Sequence, residues 1–255
     1  MQQLVRHPII LFVVSFVLMS MAAWIGSRFL RSRMPIDEDT RDDFKLVQSA
    51  TLTLLALVIG FSLSMAVGRY DQRKNLEEEE ANAIGTEFIR ADLLASSEAA
   101  EIRSLLAQYL MMRVEYYQTR DLHRVEQINT ATADLQNKLW AAARGGAVKQ
   151  PNPLSALVVA GMNDVINAQG YTQAAWWNRI PAAAWILMIV IGLFANLLVG
   201  YGVTHTDVKK RFLLVMPLTV SLSFLLIADI DSPRNGIIRV APQNLLSTAQ
   251  SLPKP

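Results

Sequence analysis

The sequence predicts an all-α membrane protein: four helical spans, with a large helical bundle outside the membrane between spans two and three. Three observations carry that reading. Of 255 residues, 52% are apolar and only 18% are charged, too apolar a balance for an ordinary soluble domain. The apolar residues gather in four blocks. No segment sustains the strict alternation of a half-buried strand. The expected boundaries put the first two spans and a short polar connector in 1–68, the bundle in 69–179, the third and fourth spans in 180–230 and a polar tail in 231–255.

Span one is 8–26, flanked by Arg6 and His7 before it and by Arg28, Arg31 and Arg33 after it. It is longer than a signal-peptide core and no small-residue cleavage pattern follows it, so it reads as a retained helix. Residues 34–43 form an acidic connector with Asp37, Glu38, Asp39, Asp42 and Asp43. Span two opens the stretch 46–74, whose first 23 residues carry no charge. At ~1.5 Å per residue these reach roughly 34 Å, enough to cross a hydrocarbon core of ~30 Å. Arg69, Tyr70, Asp71, Arg73 and Lys74 end it, an aromatic-cationic set suited to a membrane–water interface.

From Arg69 the pattern continues as one helix to about Ala95, with Gly85 its only weak point. Ser97 is the expected N-cap of the next helix, whose Ile102, Leu105, Leu106, Tyr109 and Leu110 recur at helical spacing. A further helix is expected from about Asp121 to Arg144, stopped by Gly145–Gly146. Another begins near Leu154, after Pro151 and Pro153, and reaches Trp176 and Trp177. Together these predict an antiparallel bundle. Span three is 180–203, with Pro181 in its first turn, Trp176, Trp177 and Trp185 as interface aromatics, and Gly192, Asn196 and Gly200 at a spacing that permits close helix approach. Span four is 212–228, short and holding Pro217.

The pattern excludes several chemistries. A net charge of +2 gives no argument for nucleic acid. With no cysteine there are no disulfides or thiolate metal sites. The three histidines, His7, His123 and His205, lie far apart, and His205 with Asp207 offers two ligands where a metal site needs three or four. No catalytic residues, metal or cofactor are predicted. Charge gives mixed signals on orientation. Arg28, Arg31, Arg33, Arg41 and Lys45, with Lys209, Lys210 and Arg211, favour a cytoplasmic side for the short loops. Arg69, Arg73, Lys74, Arg179, Arg234 and Arg239 stand at the opposite span ends.

Span two carries the most informative surface. At ~100° per residue, Ser49, Thr53, Leu57, Gly60 and Ser64 share one face, with Phe61 at its edge. A lipid-facing surface has no need of hydroxyls and glycine. Such a face serves a helix–helix contact or the wall of a pore in an oligomer, with Leu57 and Phe61 as an apolar constriction and Thr53 as a polar ring. Arg69 and Arg73 anchor the helix at headgroups or, repeated around an axis, attract anions at a pore mouth or interface. Glu77 to Glu80 reads as a solvated acidic run, while Glu80, Asn82 and Glu87 can face a partner helix. In the tail, Asp229, Asp231 and Arg234 surround a Pro turn, either as a local network fixing the exit from the span or as an ion or gating contact.

Two runs carry a resemblance to a known family: GFSLSMAVGRYDQRKNLEEEEANAIGTEFIRADLL at 60–94 and ADIDSPRNGIIRV at 228–240. In this order they resemble the bestrophin-like membrane proteins, over nearly the whole chain. Those are distantly similar to bestrophins proper, pentameric anion channels whose second membrane helix lines a narrow apolar neck. That helix carries Gly-Phe followed, eight positions after the Phe, by Arg and an aromatic residue. Here Gly60–Phe61 is followed by Arg69–Tyr70. The resemblance places the neck at Thr53, Leu57 and Phe61, with Thr53 departing from the usual aliphatic residue. It implies a homo-oligomer, pentameric by analogy, in a lipid bilayer of bacterial inner-membrane type, passing small inorganic anions, with the region after span two in the cytosol. Asp229 and Asp231 are too few to match the calcium clasp of animal bestrophins. The alternative function is a non-conducting, membrane-anchored helical scaffold whose bundle binds a protein partner.

Overall fold

The structure, a computed structural model, describes residues 7–34, 36–37, 39–203 and 213–253. All regular structure among them is helical. The helices are α1 (Pro8–Ile25, continuing through a π-turn at Gly26–Leu30 to Arg33), α2 (Arg41–Arg90), α3 (Ser96–Gln118), α4 (Leu122–Lys149), α5 (Pro153–Trp177), α6 (Ala182–Gly202), α7 (Val215–Asp231) and α8 (Gln243–Ser251). Three helical stretches among the described residues are long and apolar enough to cross a membrane: Pro8–Arg33, Arg41–Leu93 and Pro153–Gly202. The segment expected as a fourth span contains the helix α7, 17 residues long, which is not among these three stretches and which extends toward the tail to take in Asp229 and Asp231. Its expected first residue, Phe212, lies outside the described residues, as do His205, Asp207, Lys209, Lys210 and Arg211.

The chain divides into two compact units: 1–69 with 179–239, and 70–178 with 240–255. The first unit is built on apolar helices. Leu11 and Met19 of α1, Trp185, Met188 and Ala195 of α6, and Val220 and Phe224 of α7 are buried in it. α1 and α6 pack at backbone contact. A Cβ at Gly200 would collide with the Ala23 carbonyl, and one at Gly26 with the Leu197 carbonyl, so each helix supplies a glycine where the other's backbone passes. Arg31 then closes the end of α6, donating to the carbonyls of Tyr201 (3.2 Å) and Val203 (2.7 Å). Trp185 is a core residue against Phe224, ring centroids 6.2 Å apart, and not the interface aromatic expected from its position.

The second unit has one apolar core. Ile84 and Phe88 of α2, Ile102, Leu106, Tyr109 and Leu110 of α3, Leu135 and Leu139 of α4, and Val158, Met162 and Val165 of α5 meet there. The expected stripe on α3 is thus the buried one, with Leu105 at its margin. Local punctuation differs from expectation in three places. The N-cap of α3 is Ala95, and Ser97 bonds Glu98 instead (2.5 Å). Gly145–Gly146 does not stop α4, which runs on to Lys149; a Cβ at Gly146 would lie 2.7 Å from Leu94, so close packing explains that glycine. Trp176, expected at an interface, is buried between Tyr116 and Tyr117, at 5.1 and 5.3 Å. Asn152 starts α5 with a full capping box to Ser155. The polar tail contains α8, whose Leu245 is fully buried in this core.

Candidate functional site

The membrane stretch of α2 is the least covered of the three candidate spans, 17% buried against 33% for each of the others. Its covered side is Leu55, Ser62 and Ala66. At ~100° per residue these lie about 180–220° around the helix from Thr53. The opposite side, carrying Ser49, Thr53, Leu57, Gly60, Phe61 and Ser64, is exposed throughout, with Leu57 at 52% and Phe61 at 65%. Nothing lies within 4 Å of a Cβ built at Gly60 or Gly68. The hydroxyls of Ser49 and Thr53 return to their own helix, donating to Leu46 and Ser49 carbonyls at 3.0 and 2.9 Å. The small-polar face therefore meets no other helix of the first unit.

Arg69 and Arg73 fall on the covered side, about 160° and 200° from Thr53. Arg73 is buried, and its guanidinium donates to the carbonyls of Ala175 and Asn178, both at 3.2 Å. Those carbonyls are orphans of the end of α5, where a cation also complements the helix dipole. In this chain Arg73 thus caps the end of α5. Arg69 is half-buried and pairs with Asp231 at 3.4 Å.

Both tail carboxylates accept from backbone N–H groups. Asp231 accepts from Ile180 N–H at 3.2 and 3.3 Å as well as from Arg69. Asp229 accepts from the N–H groups of Ile237 and Ile238 at 2.7 and 2.8 Å, folding the chain back over the end of α7. A Cβ at Gly236 would strike the Asp229 carbonyl, so only glycine lets this loop close. Arg179 donates to Ser232 (3.2 Å) beside it. The arrangement is a local network fixing the exit turn; among the described residues no group of three His, Cys, Asp or Glu is placed to hold a metal ion.

In the second unit, the supposedly solvated acidic run is half buried. Glu77 and Glu80 point inward while Glu78 and Glu79 face solvent. Arg73, Glu77, Glu80 and Glu87 are spaced three, four or seven apart, one stripe on α2. Glu77 accepts from the Asn244 side chain (2.7 Å) and the Leu245 N–H (2.9 Å), capping α8 from another helix. Glu80 pairs with buried Arg113 and accepts from Thr172 (3.2 Å) and Tyr117 (3.4 Å). Burial alone would favour a neutral Arg113, but Glu80 outweighs it and holds the guanidinium charged. The Tyr117 hydroxyl is pushed up by burial and by the same carboxylate. Arg113 was invisible to sequence reasoning because an isolated arginine on α3 shows no pattern. The α2 stripe shows in the sequence as a helical period that separates Glu77 and Glu80 from Glu78 and Glu79.

The sequence profile of a family described as Bestrophin-like domain matches residues 13–245. No curated protein matches the chain. Among solved structures it is similar to a bacterial bestrophin homologue from Klebsiella pneumoniae, at TM-score 0.65 and 16% identity, over 96% of this chain and 99% of that one. A mutated form of a bestrophin homologue from that organism gives 0.66 and 15%, over 94% and 99%. A variant described only as a membrane protein gives 0.65 and 17%, over 96% and 99%. At these identities the likeness establishes the fold. The family match and the three long apolar helical stretches together support an integral membrane protein.

Proposed function

The chain belongs to the bestrophin-like family, and on that premise we propose that it forms a homo-oligomeric channel for small inorganic anions, lined at its neck by the open face of α2. The observation that carries the proposal is that face. Ser49, Thr53, Gly60 and Ser64 lie on the uncovered side of α2, the least covered of the candidate spans, and meet no other helix of the first unit. Against lipid such a surface gains nothing; repeated around an axis it can border water, with Leu57 and Phe61 as an apolar constriction and Thr53 as a polar ring. The Gly60–Phe61 to Arg69–Tyr70 spacing supports the same assignment. In this reading α7 is the fourth span, five copies surround the axis by analogy with bestrophins, and the protein sits in a bacterial inner membrane as a channel and not an enzyme.

Mass measurement of the intact complex in mild detergent, followed by bilayer recording, tests it. A pentamer whose anion conductance changes in Leu57→Ala and Phe61→Ala is the expected result. A strict monomer cannot enclose a pore with one neck helix per chain; it would overturn the proposal in favour of a membrane-anchored scaffold.

A further inference from the structure

We infer that Glu87 and Gly161 form a proton-binding site inside the second unit: a carboxyl seated uncharged between α2 and α5, whose ionisation loosens that seam. The side chain of Glu87 is fully buried, and neither carboxylate oxygen has a hydrogen-bond partner. It differs in this from Glu77 and Glu80, each held by two or more donors. The space it occupies exists because residue 161 is glycine. A Cβ there would overlap Glu87 Oε2 and lie 2.6 Å from Arg90 Nη1. A charged carboxylate in this seat would lack both water and donors, which is the costly case; a neutral acid is tolerated far better.

The charged neighbours do not compensate it. Arg90, one turn along α2, is also drawn to Asp164 of α5, at 3.9 Å. Asp164 itself repels a second negative charge. On α3, Arg103 is engaged by the Phe88 carbonyl (3.4 Å) and by Asp92. From α8, Thr248 approaches α2 at Gly85 and brings no charge. Burial, the largest influence, pushes the Glu87 carboxyl up to about 8; Arg90 works against this and Asp164 with it. The folded state thus keeps a proton that the unfolded chain releases. Stability contributed by this seat is full below the ordinary carboxylate range, falls as pH rises toward about 8, and levels off above it. The inference is independent of whether the protein conducts.

Two measurements on the full-length protein in detergent test it. Infrared titration is expected to show a protonated carboxyl that persists at neutral pH and is lost near pH 8, and that is missing in Glu87→Gln. Thermal unfolding is expected to give a Glu87→Gln midpoint at or above that of the parent at pH 8 and a flatter dependence on pH below it. Gly161→Ala, which displaces the acid and does not remove it, should move the titration toward the ordinary range. A parent protein with no carboxyl titrating above that range would overturn the inference. So would a Gln variant that keeps the parent's infrared band and pH slope.

Discussion

Removing Arg113 while leaving Glu80 in place is predicted to be among the most damaging single changes in the second unit. Both side chains are fully buried and paired through Arg113 Nε and Glu80 Oε1. The guanidinium also stacks on Tyr116, 4.3 Å from the ring centroid. In Arg113→Met the carboxylate keeps only the neutral donors of Thr172 and Tyr117. Breaking a buried ion pair from one side typically costs about 3–5 kcal/mol, because the remaining charge is stranded. Replacing both partners, as in Arg113→Met with Glu80→Leu, removes the stranded charge and should recover a large part of that loss; apolar replacement of whole buried pairs is often neutral or stabilising by about 1–4 kcal/mol. Thermal unfolding of the purified protein followed by tryptophan emission reads this out, since Trp176 packs against Tyr116 and Tyr117 in the same cluster. The reasoning is refuted if Arg113→Met costs less than about 1 kcal/mol, the scale of an exposed pair. It is refuted equally if the double variant is as unstable as the sum of the singles.

Two further changes test other parts of the account. Gly200→Ala places a methyl against the Ala23 backbone and is predicted to destabilise the first unit by at least the ~1–3 kcal/mol of ordinary overpacking, since backbone cannot swing aside; the thermal midpoint in detergent checks it, and Gly60→Ala, which meets nothing, is the control. Leu245→Ala hollows the seat of α8 and should cost about 2–5 kcal/mol, seen as faster protease cleavage of the tail with the remaining core intact.

How far the sequence revealed this molecule depends on which force dominates locally. The apolar helices were legible because a charge-free run of 23 residues has few other homes. The face carrying Thr53, Leu57 and Phe61 was legible from helical period alone, and the structure leaves it uncovered within its own chain. Where tertiary contacts override local preference, reading failed. Gly145–Gly146 looks like a stop signal until Leu94 is seen packing on it. Ser97 looks like a cap until Ala95 is found in that place. Arg73 and Glu77 looked like surface charge, yet they close helix ends contributed by α5 and α8, distant in sequence. Partners a hundred residues away leave no local trace.

The chain contains no cysteine, so single cysteines can be placed on α2 without altering a background. Bilayer currents of Leu57→Cys exposed to a charged, water-soluble thiol reagent test the central claim most directly. Current through Leu57→Cys is predicted to fall on addition of reagent. The unmodified protein and Ala66→Cys, buried on the opposite side of the helix, should be unaffected. Absence of current from the purified oligomer, or equal sensitivity at 57 and 66, would contradict a pore along this face.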